Sequence, residues 1–355
     1  MIELVILQTV APDYRKKLFD EIKKELGNRF LLYAGDSYFE ESVKTCYDIK
    51  CRKHVRNYYL FNRKLLFQTG IWRDAIRTKI LVIEMNPRII SNWIILIIRS
   101  VLLRKTILWG HSWPRLGKNS KTDIVRNWMR LLGQAIITYT KTQAVELKNK
   151  MPKKKILFAP NSLFYAKEMD STFDSDPLNI IYVGRLIKKK KASVLVDAFV
   201  SIMNKLPDNA QLVIVGDGEE KGNIEEKIGT LDVKDRINLL GHIGDYTKLK
   251  GLYSKSLLSV SPGYVGLSIT QSFGFGVPML ISKGENHSPE IEAAQDGINC
   301  LYFDTNNVKD LENKLLDFYK NKDIWIKRRA VISENCRLGY SIEVMANTFV
   351  NLLNE

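Results

Sequence analysis

The stretch NIIYVGRLIKKKKASVLVDAF, residues 179–199, decides the fold. Residues 178–183 form a short run, apolar except for Asn179, that breaks at Gly184, and residues 192–205 then repeat apolar positions at helical spacing. A run of that length reads as a strand covered on both faces, and the switch from one period to the other reads as strand followed by helix. The same grammar continues outward. Residues 211–215 predict a strand and 219–230 a helix, and short strands are expected at 237–240, 257–261, 278–281 and 300–303. Strands alternating with helices at this spacing imply parallel sheets with right-handed crossovers.

The first half repeats the pattern less cleanly. Residues 2–8 read as a buried strand, 14–26 as a helix, and 29–34 as a strand ending in the turn signal Gly35-Asp36. Further strands are expected at 79–84, 105–109, 135–139 and 155–158, with an apolar helix at 89–103. Residues 161–177, rich in Ser, Asp and Pro, read as a linker. The expected division is a Rossmann-like domain at 1–164, a second at 165–340, and a C-terminal helix within 341–355 that packs back on the first domain.

Composition narrows the class. Of 355 residues, 45% are hydrophobic and 26% charged, which fits a globular chain with ample core. The four cysteines (Cys46, Cys51, Cys300, Cys336) form no CxxC pair, and no Cys/His cluster has zinc spacing, so neither a disulfide framework nor a metal site is expected. The N-terminus has no basic segment ahead of its short apolar run, so no signal peptide is expected. Residues 89–103 are too few to span a bilayer, and Arg99 interrupts them. The expected setting is cytoplasmic. Charge is uneven: residues 1–155 hold 31 Lys/Arg against 13 Asp/Glu, a net of +18, while the remainder nets −3. Such a basic half suits an anionic lipid surface or a phosphate-bearing substrate. Nucleic acid is not an expected partner, because no helix-turn-helix, zinc-finger or RNP-type signature is present.

Four motifs carry candidate chemistry. Gly184 and Arg185 stand at the mouth of a strand, and Lys190 precedes a helix; a forked guanidinium and a mobile ammonium could together neutralise a diphosphate. Taken alone, Lys188 to Lys191 reads as a solvated charge run. In SPGYVGLSITQSFGFGVP, residues 261–278, a strand runs into a loop with Gly263 and Gly266, then a helix starting near Leu267 and Ser268. Backbone N–H groups there could approach a phosphate, and Gln271 could hydrogen-bond sugar hydroxyls. The plainer reading is a packing turn. His111, in LWGHSWP, follows a strand end in the first half; a lone histidine is often structural. Asp13 and Arg15 lie in the first strand-to-helix turn, which is not a GxGxxG loop, so no dinucleotide site is expected there.

Taken in order, VGRLIKKKKASVLVDAF, LVIVGDGEEKGNIEEKI, LLGHI, SPGYVGLSITQSFGFGVP and HSPEIEAAQDGIN resemble the C-terminal half of the family-4 glycosyltransferases. The first half is similar in APDYRKKLF, LWGH and APNS, and thin in residues 36–78. The resemblance implies a GT-B fold, with two Rossmann-like domains whose parallel sheets face across a deep cleft. It implies a retaining transfer from a nucleotide-diphosphate sugar, with no cofactor and no metal. Arg185 and Lys190 fall on the family's phosphate-binding pair, Gly266 and Leu267 on its phosphate loop, Ile243 where main chain meets the base, and His111 on a histidine near the donor sugar. Two departures stand out. The glutamates of the family's E-x7-E pattern are Gly263 and Gln271 here, and Lys191 replaces a customary glycine.

These readings predict a retaining glycosyltransferase acting on a glycan or lipid-linked acceptor in cell-surface polysaccharide assembly, peripheral on the inner face of the membrane. Arg185, Lys190 and the helix start would stabilise the leaving diphosphate, which could itself take the acceptor's proton; His111 would position the sugar. Asp13 and Arg15 are the acceptor-side candidates. The rival readings are a non-catalytic partner subunit of another glycosyltransferase, motivated by Gly263 and Gln271, and a sugar-nucleotide 2-epimerase, which would need more cleft histidines than a chain with four can offer.

Overall fold

The computed structural model describes residues 2–354 other than 42, 115–116, 172, 174–175, 232 and 234. The chain divides into two compact units, Met1–Leu163 with Ile342–Glu355, and Phe164–Ser341.

In the first unit, the strands are β1 (Leu4–Val10), β2 (Phe30–Gly35), β3 (Arg52–His54), β4 (Arg56–Leu60), β5 (Leu65–Thr69), β6 (Ile80–Glu84), β7 (Lys105–Trp109), β8 (Ala135–Thr138) and β9 (Lys155–Phe158). Seven form a sheet in the order β3-β2-β1-β6-β7-β8-β9, every neighbouring pair parallel. The helices are α1 (Lys16–Leu26), α2 (Trp72–Arg77), α3 (Ile90–Val101), α4 (Asp123–Leu132) and α5 (Lys141–Lys150). The first strand ends two residues beyond the expected position, because Val10 still pairs with Gly35 through an irregularity in register. Sequence reading missed β3 and the antiparallel β4–β5 hairpin. β3 is polar and mostly exposed, β4 (RNYYL) alternates exposed with half-buried residues, and β5 (LLFQT) has only three consecutive apolar residues, so none gives the long apolar run of a strand covered on both faces.

Arg99 does not merely interrupt an apolar segment. It is fully buried and donates to the carbonyls of Ala75 at 2.5 Å, Thr78 at 3.1 Å and Lys105 at 2.7 Å, closing the C-terminal end of α2. Burial lowers its pKa to about 10, so the guanidinium stays charged at neutral pH.

In the second unit, β10 (Asn179–Val183), β11 (Leu212–Val215), β12 (Ile237–Leu239), β13 (Ser256–Ser261), β14 (Met279–Ser282) and β15 (Cys300–Phe303) form a parallel sheet in the order β12-β11-β10-β13-β14-β15. Its helices are α6 (Ala192–Ile202), α7 (Lys221–Gly229), α8 (Tyr246–Ser254), α9 (Ser268–Gly274), α10 (Val308–Lys320) and α11 (Lys322–Tyr340). Ile180, Leu195, Phe199, Leu212, Leu258 and Leu315 are fully buried in one apolar cluster, each worth roughly 1.5–3 kcal/mol. The last helix, α12 (Ile342–Val350), packs on α1 in the first unit. The α/β class with two parallel sheets, expected from the strand–helix alternation, is the class observed.

Candidate functional site

In an open parallel sheet, ligands bind beyond the carboxyl ends of the strands where the strand order reverses. In the second unit that point lies between β10 and β13. The segments leaving these two strands are Gly184–Lys191 and 262–267, which contain the sequence-predicted phosphate residues.

Close backbone packing shapes the first segment. The Gly184 N–H donates to Val215 and the Leu186 N–H to Asp217, extending the β10–β11 pairing past the sheet edge. A Cβ on Gly216 would lie 1.9 Å from the Gly184 carbonyl oxygen, and one on Gly218 would lie 2.4 Å from that of Leu186. The glycines of VGDG are therefore required for the approach that presents Arg185. The buried Tyr182 hydroxyl donates to the Arg185 carbonyl at 3.0 Å, while the Arg185 side chain is exposed.

Lys190 is not part of a solvated run. It is 8% exposed, with its ammonium 4.7 Å from the centre of the Tyr264 ring. A Cβ on Gly266 would lie 3.9 Å from that ammonium nitrogen, so the two motifs meet. Burial, reinforced by Arg185 and Lys189, pushes the Lys190 pKa down to about 8, against the opposing pull of Glu290. Lys188 and Lys189 are exposed, as a charge run should be.

The second segment is pinned from the loop after β14. The His287 Nδ1 accepts from the Val265 N–H at 3.1 Å, and its Nε2 lies 2.8 Å from the Ser282 carbonyl. That pair of contacts fixes the neutral tautomer with the proton on Nε2, consistent with a pKa lowered by burial. Tyr264 and Ser288 share a hydroxyl–hydroxyl bond of 2.7 Å. Leu267 caps α9 without a side-chain acceptor of its own. Ser268 opens that helix, and Gln271 is buried within it.

The surroundings of Gly263 and Lys191 are specific. A Cβ on Gly263 would lie 2.4 Å from the Lys189 carbonyl oxygen, and the Tyr264 N–H donates to that same oxygen at 3.0 Å. The space a side chain would occupy is filled by backbone. Lys191 adopts the left-handed conformation, φ 53°, that a glycine would take without strain. Its ammonium pairs with Glu285 and reaches Asn306 at 2.7 Å. Ile243, half-buried, lies after β12 in the loop that leads to α8.

The remaining predicted residues belong to the first unit. His111 follows β7, exposed, its ring edge-on to Tyr139 at 4.8 Å, with its carbonyl accepting from Arg126 at 3.0 Å. Asp13 is exposed and accepts from the Tyr14 N–H at 2.7 Å. Arg15 is 7% exposed: it donates to Asn161 at 2.5 Å and lies 5.0 Å from the centre of the Trp109 ring. This placement ties the first turn to the end of β7.

Sequence reasoning passed over Glu84 and Glu290. Glu84 ends β6 at the strand-order reversal of the first sheet, between β1 and β6. It accepts from the Thr9 N–H and, at 3.0 Å, from the Thr9 hydroxyl, and burial raises its pKa to about 7. A carboxylate closing the apolar run KILVIE was the signal available for it. Glu290 is 5% exposed, and its charge acts on Lys190.

The family model of the glycosyl transferases group 1 matches residues 166–338. Among curated relatives, the N-acetyl-alpha-D-glucosaminyl L-malate synthase of Bacillus anthracis is 27% identical over 137 residues, 39% of this chain and 35% of the relative. The alpha-monoglucosyldiacylglycerol synthase of Acholeplasma laidlawii is 24% identical over 182 residues, 49% of this chain and 42% of the relative. The chain thus spans well under half the length of these two relatives. Anabaena HepE in complex with UDP shares the fold at TM-score 0.72 and 13% identity, covering 100% of both chains. That likeness is one of fold, GT-B.

Proposed function

From the match of residues 166–338 to the glycosyl transferases group 1, we propose that this chain transfers a sugar from a nucleotide-diphosphate sugar to a glycan or lipid-linked acceptor. The observation that carries this reading is the buried Lys190 ammonium beside Gly266. A cation whose charge is disfavoured by burial and by Arg185 gains most when an anion arrives, and a diphosphate supplies that anion. Arg185, Lys190 and the N–H groups near Leu267 then stabilise the charge that develops on the leaving group. Such donors are typically worth about 3 kcal/mol each in the transition state. The base meets the main chain near Ile243, and Gln271 hydrogen-bonds hydroxyls of the donor.

The reaction proceeds with retention, without a metal or cofactor. The acceptor hydroxyl attacks from the side of the leaving group, whose phosphate takes the proton. His111 positions the sugar, a role supported by the family resemblance and by its place after β7. The division of labour gives the donor to the second unit and the acceptor to the first, with Asp13 on the acceptor side. The excess of basic residues in the first half supports a lipid-linked acceptor at an anionic membrane surface, in cell-surface polysaccharide assembly. The name of the Acholeplasma relative, a synthase of a glucosyl lipid, points the same way.

A thermal-shift series with UDP-, GDP- and dTDP-sugars tests the donor reading. A selective ligand at 100 times its Kd adds about 2.7 kcal/mol of stability. No shift with any sugar nucleotide would overturn it. Gly263 favours one second reading, a non-catalytic partner subunit, because no side chain at that position can reach a donor sugar. In that case R185A and K190A would leave turnover of the assembled enzyme unchanged.

A further inference from the structure

We infer that the outward faces of α3 and α4 form the surface by which this chain docks on an anionic bilayer. The inference rests on the membrane reading above and adds which face meets the lipid.

Each helix turns one apolar stripe inward and a second one outward. In α3, Ile95 and Leu96 are fully buried, yet Ile97 is 52% and Val101 77% exposed. In α4, Met129 is buried, while Ile124, Trp128 and Leu131 are 61%, 62% and 59% exposed. The outward residues of α4 fall at i, i+4 and i+7, so they share one face. The chain just past α3 extends the surface: Leu103 holds a left-handed backbone, φ 53°, and is 92% exposed. That conformation is costly for a leucine.

The two helices are neighbours on one side of the sheet. The crossovers β6-α3-β7 and β7-α4-β8 step in one direction along the sheet, which puts both helices on the same side of it. The two helices are also in contact. An exposed apolar stripe of this kind marks an interaction site, whereas scattered exposed aliphatics do not.

Charge selects the occupant. Residues 85–135 hold nine Lys/Arg and a single carboxylate, Asp123. Asp123 is buried and neutralised by Arg130 at 2.7 Å and Lys150 at 2.5 Å. The exposed rim charges Arg104 and Lys121 are therefore cationic, while Lys118 lies 3.9 Å from the Glu146 carboxylate. A second copy of the chain seated face to face would oppose like charges. Anionic phospholipid headgroups neutralise the rim while the apolar stripes enter the boundary between headgroups and acyl chains. Trp128 is the interfacial anchor. Trp93 is not, since its indole N–H donates to the Pro87 carbonyl at 3.0 Å and its side chain is half-buried. Among the described residues no helix is long and apolar enough to cross a membrane, so the contact is interfacial.

The test is co-sedimentation of the full chain with vesicles of phosphatidylcholine alone and of phosphatidylcholine mixed with phosphatidylglycerol. The wild type binds the anionic vesicles and releases them at high salt. W128S/L131S and V101S/L103S each lose at least about tenfold in partitioning, whereas L338S, changing an exposed leucine of α11, loses nothing. Circular dichroism confirms that each variant is folded. If the wild type ignores anionic vesicles, the membrane reading fails and this inference with it. If the wild type binds and both double variants bind equally well, the membrane reading stands and the face assigned here is wrong. A concentration-dependent dimer in sedimentation velocity that W128S abolishes would also overturn the inference, by giving the face to a second copy.

Discussion

The carbonyl oxygen of Lys189 stands 2.4 Å from where a Cβ on residue 263 would lie. No residue but glycine fits there unless the Gly184–Lys191 segment moves. Replacing Gly263 with alanine should therefore destabilise the second unit by about 2 kcal/mol, since the clash is with backbone rather than a flexible side-chain end. Thermal unfolding would show this as a fall of roughly 4–8 °C for a unit of this size. Glutamate at 263, the family's customary residue, should do no better, and should weaken nucleotide binding because it displaces Lys190. A G263E variant with unchanged stability and tighter donor binding would show that the segment adapts freely.

Lys190 gives a pH signature. Its pKa is pushed down to about 8, so the ammonium begins to lose its proton just above neutrality. A bound diphosphate stabilises the charged form and raises that pKa. Affinity for a nucleoside diphosphate should be flat below about pH 8 and fall by up to about tenfold per unit above it. Calorimetry at pH 8.5 in buffers of different ionisation enthalpy should record proton uptake on binding. K190R keeps its charge throughout and should flatten the profile, whereas K190A should lose about a hundredfold in turnover.

Glu84 gives the opposite kind of signature, in stability. Its folded-state pKa is raised from 4.5 to about 7, so the native state binds more protons than the unfolded chain between those values. Stability of the first unit should then decrease as pH rises from about 4.5 to 7, by at most about 3 kcal/mol. Urea unfolding at pH 5 and pH 8 measures the difference. E84Q, which keeps an acceptor for the Thr9 N–H without the charge, should abolish it.

Much of this was legible in the sequence because a parallel strand covered on both faces must be continuously apolar. LVILQTV, ILVIE, NIIYV and LVIV announce themselves in that way, and the helices between them follow from the period change. The β4–β5 hairpin was not legible, because RNYYL alternates exposed with half-buried residues and LLFQT half-buried with buried ones, so neither strand is apolar and covered along its whole length. At the site, residue types were readable but distances were not. Lys188 to Lys191 are four identical letters; only the fold buries Lys190 against Tyr264, exposes its two predecessors, and ties Lys191 to Glu285. Arg15 is an acceptor-side candidate by its place in the first turn, and its packing over Trp109 comes from tertiary structure. Such packing leaves no mark in local sequence.

Arg15 accordingly makes a structural prediction. R15A should cost the first unit about 2 kcal/mol, from lost packing on aromatic rings and the lost bond to Asn161. Denaturant unfolding should detect it, and affinity for a nucleoside diphosphate should not change.

The most direct measurement of the central claim is the crystallographic position of the two phosphates in a complex with UDP or GDP. They are predicted to lie beyond the carboxyl ends of β10 and β13, within about 3 Å of the Lys190 Nζ and of the N–H groups at Gly266 and Leu267, with Arg185 folded over them. A diphosphate bound elsewhere, with Lys190 still packed on Tyr264 and touching no phosphate oxygen, would contradict the account.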